Sequence, residues 1–134
     1  MILVDAGPLV ALVDADDQHH ASCAAAFEKI RESLGTVWPA LTEAMYLLAD
    51  LPKGQDALWE MLARRAIQLV PLDLGDVPRM RELMRKCADR PMDLADAALV
   101  RAGEREGIRT FFTVDRKDFA VYRLHGRVRP TLIP

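Results

Sequence analysis

Short apolar runs alternate along the chain with amphipathic segments of helical period. β-type composition predicts strands at residues 1–4, 36–38, 66–72 and 109–114. Apolar positions at helical spacing predict a helix starting at Pro8 and further helices over residues 19–34, 40–50, 55–65, 77–87 and 93–106. Gly35 and Gly107 are predicted to end two of these helices. The alternation predicts a mostly parallel α/β sheet with right-handed crossovers and helices on both faces.

Two predicted strands are followed by an aspartate. Asp5 ends the first apolar run and Asp115 the last, and ligands of parallel sheets bind at the carboxyl ends of the strands. A single aspartate there is commonly a turn or helix-cap residue, but two at one edge of a sheet indicate a site. Thr113 faces the same side of the sheet as Asp115. Two interpretations are open: its hydroxyl binds a metal-bound water, or it is an ordinary strand residue.

The helix over residues 93–106 carries an acid on its apolar face. Asp96 lies inside the apolar arc and Asp93 at its margin, while Arg101 and Arg105 are predicted on the opposite, solvent side. Burying an unpaired carboxylate costs several kcal/mol or raises its pKa. Asp96 therefore requires a metal, a donor network or an arginine partner. Asp93, at the helix start, is equally typical of an N-cap.

Glu43 flanks the buried face of the helix over residues 40–50, although a glutamate in a first helical turn is also common. Such acids repel one another unless a cation lies among them. The predicted acidic set is Asp5, Glu43, Asp96 and Asp115, with Asp93 as an auxiliary member. Hard oxygen ligands suit Mg²⁺ or Mn²⁺, bound through one or two carboxylates, waters and phosphate oxygens. Such a site activates water for phosphodiester displacement, which predicts a metal-dependent nuclease.

Composition narrows the setting of this chemistry. The 134 residues fit one domain, 1–134, and 51% hydrophobic content with a net charge of −2 is typical of a globular protein. No apolar run approaches the roughly 18 residues of a membrane span, and the N-terminus lacks secretory-signal features. We therefore expect a cytoplasmic protein without a membrane partner.

Other chemistries find little support. Cys23 and Cys87 lie in apolar helical patterns and are predicted to be core thiols. His19 and His20 are predicted to be helix-start residues rather than metal ligands. A phosphotransferase or receiver domain also clusters acids at strand ends, but Asp5 is followed by Ala-Gly rather than by the second acid that haloacid-type phosphotransferases carry.

The ordered segments Ile-Leu-Val-Asp5, Thr42-Glu43, Met-Asp93-Leu-Ala-Asp96-Ala and Phe-Thr113-Val-Asp115-x-x-Asp118-Phe resemble the PIN-domain family over nearly the whole chain. Within that family the chain is similar to the VapC-type toxin ribonucleases of type II toxin-antitoxin systems. The resemblance implies a three-layer fold and a Mg²⁺-dependent endoribonuclease, with Mn²⁺ as the alternative ion.

The resemblance also implies residue roles. Asp5 and Asp96 would be the main metal ligands, Glu43 would hold the metal or its water, and Asp115 would complete the set. Asp93 would be auxiliary and Asp118 structural. Gly7 departs from many relatives, which carry Ser or Thr after the first aspartate.

The implied partners are an RNA substrate, a cognate antitoxin whose basic peptide enters the acidic pocket, and a second copy of the chain. Residues 101–134 contain seven Arg and one Lys against four acids. The candidates for contacting the RNA backbone are Arg116, Lys117, Arg123, Arg127 and Arg129. The alternative is a catalytically silent PIN-like module that binds RNA or protein, although such a module would be expected to have lost carboxylates.

Overall fold

The computed structural model describes residues 1–86 and 92–134. The strands of these residues are β1 (Ile2–Val4), β2 (Leu34–Thr36), β3 (Ile67–Leu69), β4 (Thr110–Phe112) and β5 (Thr131–Ile133). The helices are α1 (Ala6–Val13), α2 (His20–Lys29), α3 (Trp38–Leu47), α4 (Pro52–Ala63), α5 (Val77–Lys86), α6 (Leu94–Glu106) and α7 (Arg116–Val121). A 3₁₀ turn at Leu74–Asp76 precedes α5.

The five strands form one parallel sheet in the order β3-β2-β1-β4-β5. β1 lies at its centre, where Leu3 is in register with Phe111 and Val4 with Phe112. Successive strand residues point to opposite faces, so Leu3 and Phe111 pack with α5 and α6, whereas Val4 and Phe112 pack with α1, α2 and α4. The predicted three-layer α/β fold is confirmed.

The predicted helix over residues 19–34 is too long. α2 ends at Lys29, and Leu34 and Gly35 belong to β2, in register with Ile2 and Leu3. The prediction was wrong because the offset from Ile30 to Leu34 also fits one helical face. Gly35 is a close-packing position, since an added Cβ would lie 2.7 Å from the Met1 sulfur.

Other boundaries also moved. The strand predicted at residues 36–38 lies two residues earlier, and Trp38 begins α3. α1 begins at Ala6 rather than at Pro8, because Asp5 caps it. Gly107 does end α6, in the left-handed conformation with φ 69°. The short elements α7 and β5 were not predicted.

Cys23 is fully buried, as predicted for a core thiol, and Cys87 lies outside the described residues. No helix in the described parts of the chain is long and apolar enough to cross a membrane.

Candidate active site

Asp5 leaves the sheet at the carboxyl end of the central strand. Its backbone N–H donates to the Phe112 carbonyl at 2.9 Å, which ties it to the end of β4. One carboxylate oxygen, Oδ1, accepts from the Ala6 N–H at 2.8 Å and caps α1, and Oδ2 accepts from the Thr113 hydroxyl at 3.0 Å. Thr113 is fully buried, and its Oγ1 also accepts from the Asp115 N–H at 3.0 Å. Thr113 thus links the two strand-end aspartates.

Asp96 enters the site from the first turn of α6. Its side chain is buried, with 8% exposure, and its Oδ2 accepts a hydrogen bond from the Tyr122 hydroxyl at 2.6 Å. The exposed Asp93 caps the same helix, because its Oδ1 accepts from the Asp96 N–H at 2.9 Å. The N-cap interpretation of Asp93 is therefore correct, and its cap position also brings it to the site.

Glu43, Asp115 and Asp118 complete the acidic surface. Glu43 is an exposed residue of α3, a helix that packs against both α1 and α6. Asp115 is the exposed residue before α7, and its carboxyl lies against that of Asp118 one turn later. Asp118, which the sequence suggested was structural, therefore lies at the site.

One cavity of about 260 Å³ brings the acids together. Its lining contains six carboxylates and no lysine, arginine or histidine: Asp5, Glu43, Asp93, Asp96, Asp115 and Asp118, with Ala6, Gly7, Leu47 and Val114. All five acids predicted from the sequence thus lie in one place. Two larger cavities in the described structure, of about 530 and 570 Å³, lack such a cluster.

Crowding and burial raise the pKa values of Asp5, Glu43, Asp96 and Asp115. Burial raises the pKa of Asp5 to about 6 against the opposing effect of its two hydrogen bonds, and the charges of Glu43 and Asp93 add to the rise. Burial raises the pKa of Asp96 to about 7, although the Tyr122 hydroxyl lowers it, while the neighbouring aspartates raise it further. The pKa of Glu43 is raised by burial and by Asp93 and Asp115. The concentration of negative charge is chemically suited to a cation.

The donor chemistry fits a hard divalent ion. Only carboxylate oxygens are offered as charged ligands, and none of them pairs with a cationic side chain in the described structure. Among residues 1–86 and 92–134, no three acids, histidines or cysteines already form a closed ligand set. Mg²⁺ is commonly held by one or two carboxylates with several waters, so an open arrangement is compatible with it. Asp5 and Asp96, the two buried acids, would hold such an ion.

The order of the acids along the chain, the parallel sheet and the match to a family profile all indicate the same family. The profile of the PIN domain matches residues 2–124. The chain belongs to the PIN domain family. It is 29% identical to ribonuclease VapC26 of Mycobacterium tuberculosis over 136 residues, covering 99% of this chain and 100% of that protein.

A solved structure is also similar to this PIN domain. The crystal structure of Mycobacterium tuberculosis VapC20, a sarcin-ricin loop cleaving toxin, superposes with a TM-score of 0.79. The match covers 87% of this chain and 91% of that one, at 17% sequence identity. This likeness supports the fold of the PIN domain.

The basic residues predicted to contact RNA divide into two groups. Arg116 and Lys117 begin α7, directly after the pocket residue Asp115, and the Arg116 guanidinium donates to the Pro134 carbonyl after β5. Arg123, Arg127 and Arg129 belong to the segment that leads to β5, whose first residue pairs with Thr110 at the amino end of β4. Arg127 and Arg129, the two nearer to β5, therefore lie toward the opposite edge of the sheet, whereas Arg123 directly follows Tyr122 and donates to the Ala120 carbonyl of α7.

Sequence reasoning missed a third basic group, on α5. The ion pair between Arg79 and Glu104 sets the start of α5 against the end of α6, so the two helices are antiparallel. The second half of α5, with the exposed Arg81, Arg85 and Lys86, therefore runs toward the end of α6 that carries Asp96, and Lys86 pairs with Glu82. Their spacing along one helix could have indicated this group, but it resembles an ordinary solvated face.

The sequence predicted that Arg101 and Arg105 face solvent, and that expectation was wrong. Both contact Asp76, a residue with 1% exposure, at 2.7 and 2.5 Å. The arginines are instead engaged in ion pairs that join the 3₁₀ turn to α6, away from the acidic pocket. Asp96 is thus left with a tyrosine partner rather than an arginine.

Proposed function

We propose that this PIN domain, spanning residues 1–134, is a metal-dependent endoribonuclease that hydrolyses RNA phosphodiester bonds as the toxin of a toxin-antitoxin pair. The observation that carries the proposal is the cavity lined by six carboxylates and no basic side chain. A module that only binds RNA or protein would not need such a concentration of negative charge. That charge is costly, because the carboxylates repel one another and their pKa values are raised.

The residues take distinct roles in this proposal. Asp5 and Asp96 hold Mg²⁺, with Mn²⁺ as the alternative, and Glu43 holds the ion or orients its water. Asp115 completes the set and Asp93 is auxiliary. When bound, the ion supplies an activated water and stabilises the charge that develops on the phosphate oxygens.

The relatives support the RNA substrate and the toxin role. VapC26 is named a ribonuclease, and VapC20 is described as a toxin that cleaves the sarcin-ricin loop. The match to each relative covers most of both chains.

The RNA backbone would approach along the basic residues at the carboxyl edge. Arg116 and Lys117 lie on one side of the pocket, and Arg81 and Arg85 extend toward it from α5. Arg127 and Arg129 contact RNA only if the substrate continues past the pocket to the far edge of the sheet, and Arg123 lies between them and α7. Phosphate contacts of this kind give affinity that falls with salt.

The proposed partners are a cognate antitoxin and a second copy of the chain, in the cytoplasm. A basic antitoxin peptide would complement the uncompensated charge of the pocket. The dimer is supported by large apolar side chains on α3 and α4 that are at least half exposed: Trp38, Leu47, Tyr46 and Trp59.

The activity is tested by incubating purified RNA with the wild type, Asp5→Asn and Asp96→Asn in Mg²⁺, Mn²⁺ or EDTA, after removal of any bound antitoxin. We expect discrete fragments from the wild type with either ion, a loss of at least about 100-fold in each variant, and none with EDTA. The matched control is Asp50→Asn, an exposed aspartate outside the pocket, which should cleave as the wild type does.

Cleavage that persists in both pocket variants would place the activity elsewhere or in a contaminant. A folded wild type that cuts no RNA under any condition would instead favour the silent binding module.

A further inference from the structure

The hydroxyl of Tyr122 reaches the acidic pocket from a distant part of the chain. It donates to Asp96 Oδ2 at 2.6 Å, across a sequence separation of 26 residues, and the tyrosine is only 2% exposed. An O–H···O contact this short is typical of a hydroxyl bound to a carboxylate. Tyr122 lies outside the sequence segments that resemble the family.

Aromatic packing fixes the position of this hydroxyl. The Tyr122 ring meets Phe119 edge-on, with centroids 5.0 Å apart, and Phe119 lies 5.6 Å from Phe111 of β4. Both phenylalanines have 1% exposure or less. The hydroxyl is therefore held by the sheet through two buried rings, and its direction does not depend on the exposed surface of α7.

A second hydroxyl performs the same task on the other buried acid. Thr113 Oγ1 donates to Asp5 Oδ2 at 3.0 Å, as Tyr122 does to Asp96 Oδ2. Each of the two deepest carboxylates thus has one oxygen bound by a buried hydroxyl. The exposed acids of the pocket have no such buried donor among the described hydrogen bonds.

We propose that Tyr122 is a positioning residue that holds the Asp96 carboxylate in the orientation required to bind a divalent ion. The inference rests on the proposed function, because it assigns Asp96 to that ion. By occupying Oδ2, the tyrosine fixes the carboxylate plane and leaves the second oxygen for the ion. Partners of ligand residues commonly change metal affinity by about 10- to 100-fold when they are removed.

Tyr122→Phe is the appropriate variant because it removes the hydroxyl and keeps the ring against Phe119. Mn²⁺ alone is titrated calorimetrically into metal-free wild type, Tyr122→Phe and Asp96→Asn. Because the Tyr122 hydroxyl lowers the pKa of Asp96, removing it also raises that pKa. The titrations are therefore run at pH 7.0, 7.5 and 8.0, and a loss of affinity that disappears as the pH rises is assigned to proton competition rather than to positioning. The matched control is Tyr46→Phe, because Tyr46 is 79% exposed and does not line the pocket.

We expect Tyr122→Phe to weaken Mn²⁺ binding by about 10-fold or more, Asp96→Asn to weaken it further, and Tyr46→Phe to match the wild type. Binding stoichiometry reports the folded fraction, so partial unfolding lowers the number of sites rather than the affinity. In RNA cleavage the half-saturating Mn²⁺ concentration should rise by the same factor, with the rate at saturation within a few-fold of wild type.

Equal affinity in Tyr122→Phe and the wild type, whatever the melting temperature, would reduce the tyrosine to a packing residue and overturn the inference. Equal weakening in Tyr46→Phe would do the same. A wild type that does not bind Mn²⁺ would overturn this inference and the proposed cofactor together. Binding that depends on Tyr122 without any RNA cleavage would leave the inference standing and contradict only the proposed function.

Discussion

Gly7 lies in the first turn of α1, where the helix passes close to the segment after β4. A Cβ built on Gly7 would lie 2.5 Å from Val114 Cγ2, well inside van der Waals contact. Both residues line the acidic cavity. The glycine is therefore a packing requirement of this site.

Replacing Gly7 by alanine should destabilise the protein by about 1 kcal/mol, because overpacking outweighs the gain in helix propensity. In a Val114→Ala background the clashing methyl is absent, and the same substitution should become neutral or stabilising. Chemical denaturation of the four proteins of this double-mutant cycle measures the coupling. Additive effects would show that Val114 is not the obstacle.

Asp76 stabilises α6 through ion pairs rather than through apolar packing. Burial would raise its pKa, but the Asp73 N–H and the guanidinium groups of Arg101 and Arg105 outweigh burial and lower it. Asp76→Ala should reduce the free energy of unfolding by about 2 kcal/mol, since both arginines lose their buried partner but can still be hydrated. Urea denaturation measures this, with Glu60→Ala as the control.

Glu60 pairs with Arg64 on the exposed surface of α4, where both side chains are more than half exposed. Surface pairs contribute little, so that control should change stability by less than about 1 kcal/mol. A similar loss of stability in Asp76→Ala and Glu60→Ala would mean that the buried ion pairs contribute no more than the exposed pair.

Among the secondary-structure elements, the helix pair of α5 and α6 determines where positive charge can reach the pocket. Arg81 and Arg85 lie on the exposed side of α5 and have no ion-pair partner in the described residues. We expect Arg81→Ala with Arg85→Ala to weaken RNA binding several-fold and to reduce the salt dependence of binding, while Mn²⁺ binding is unchanged.

Filter binding of RNA by the metal-free protein at several salt concentrations measures this effect. Arg127→Ala with Arg129→Ala, which changes two arginines near the opposite edge of the sheet, is measured for comparison. A larger effect from that pair would place the RNA along the segment before β5 instead.

The amphipathic helices and the apolar runs of β1 to β4 were predictable from sequence, whereas α7 and β5 were not. α6 was recognisable because thirteen residues of apolar periodicity end at a glycine. α7 has six residues, too few to show a helical period, and β5 has three partly exposed residues between two prolines rather than a buried apolar run. The acids of the pocket were predictable because a carboxylate on an apolar helix face has few explanations. Tyr122 was not, because a tyrosine in a core-like pattern gives no indication of where its hydroxyl points.

For the whole molecule, the raised pKa values of the pocket predict how stability changes with pH. Asp5 and Asp96 bind protons more tightly in the folded state than in the unfolded state, with pKa values of about 6 and about 7. The folded state is therefore favoured at low pH, and this contribution is lost as pH rises from about 4 to about 7. The lowered pKa values of Asp76 and Glu104 act in the opposite sense, at a lower pH.

In EDTA, the metal-free protein should lose about 2 kcal/mol of stability between pH 5 and pH 8. Asp96→Asn should flatten this decline, and millimolar Mn²⁺ at pH 8 should restore stability to the wild type but much less to the variant. Denaturation at four pH values, with and without Mn²⁺, provides the measurement. A stability that rises steadily across this range in EDTA would contradict the raised pKa values.

The pocket is assembled from segments that are far apart along the chain. Asp5 comes from the first strand, Glu43 from α3, Asp96 from α6, and the Tyr122 hydroxyl arrives after α7. During synthesis on a ribosome, a nascent chain lacks Asp115 and Tyr122 until all the larger helices have been made. A chain released before residue 115 therefore lacks both Asp115 and Tyr122, and the acidic pocket cannot be completed in it.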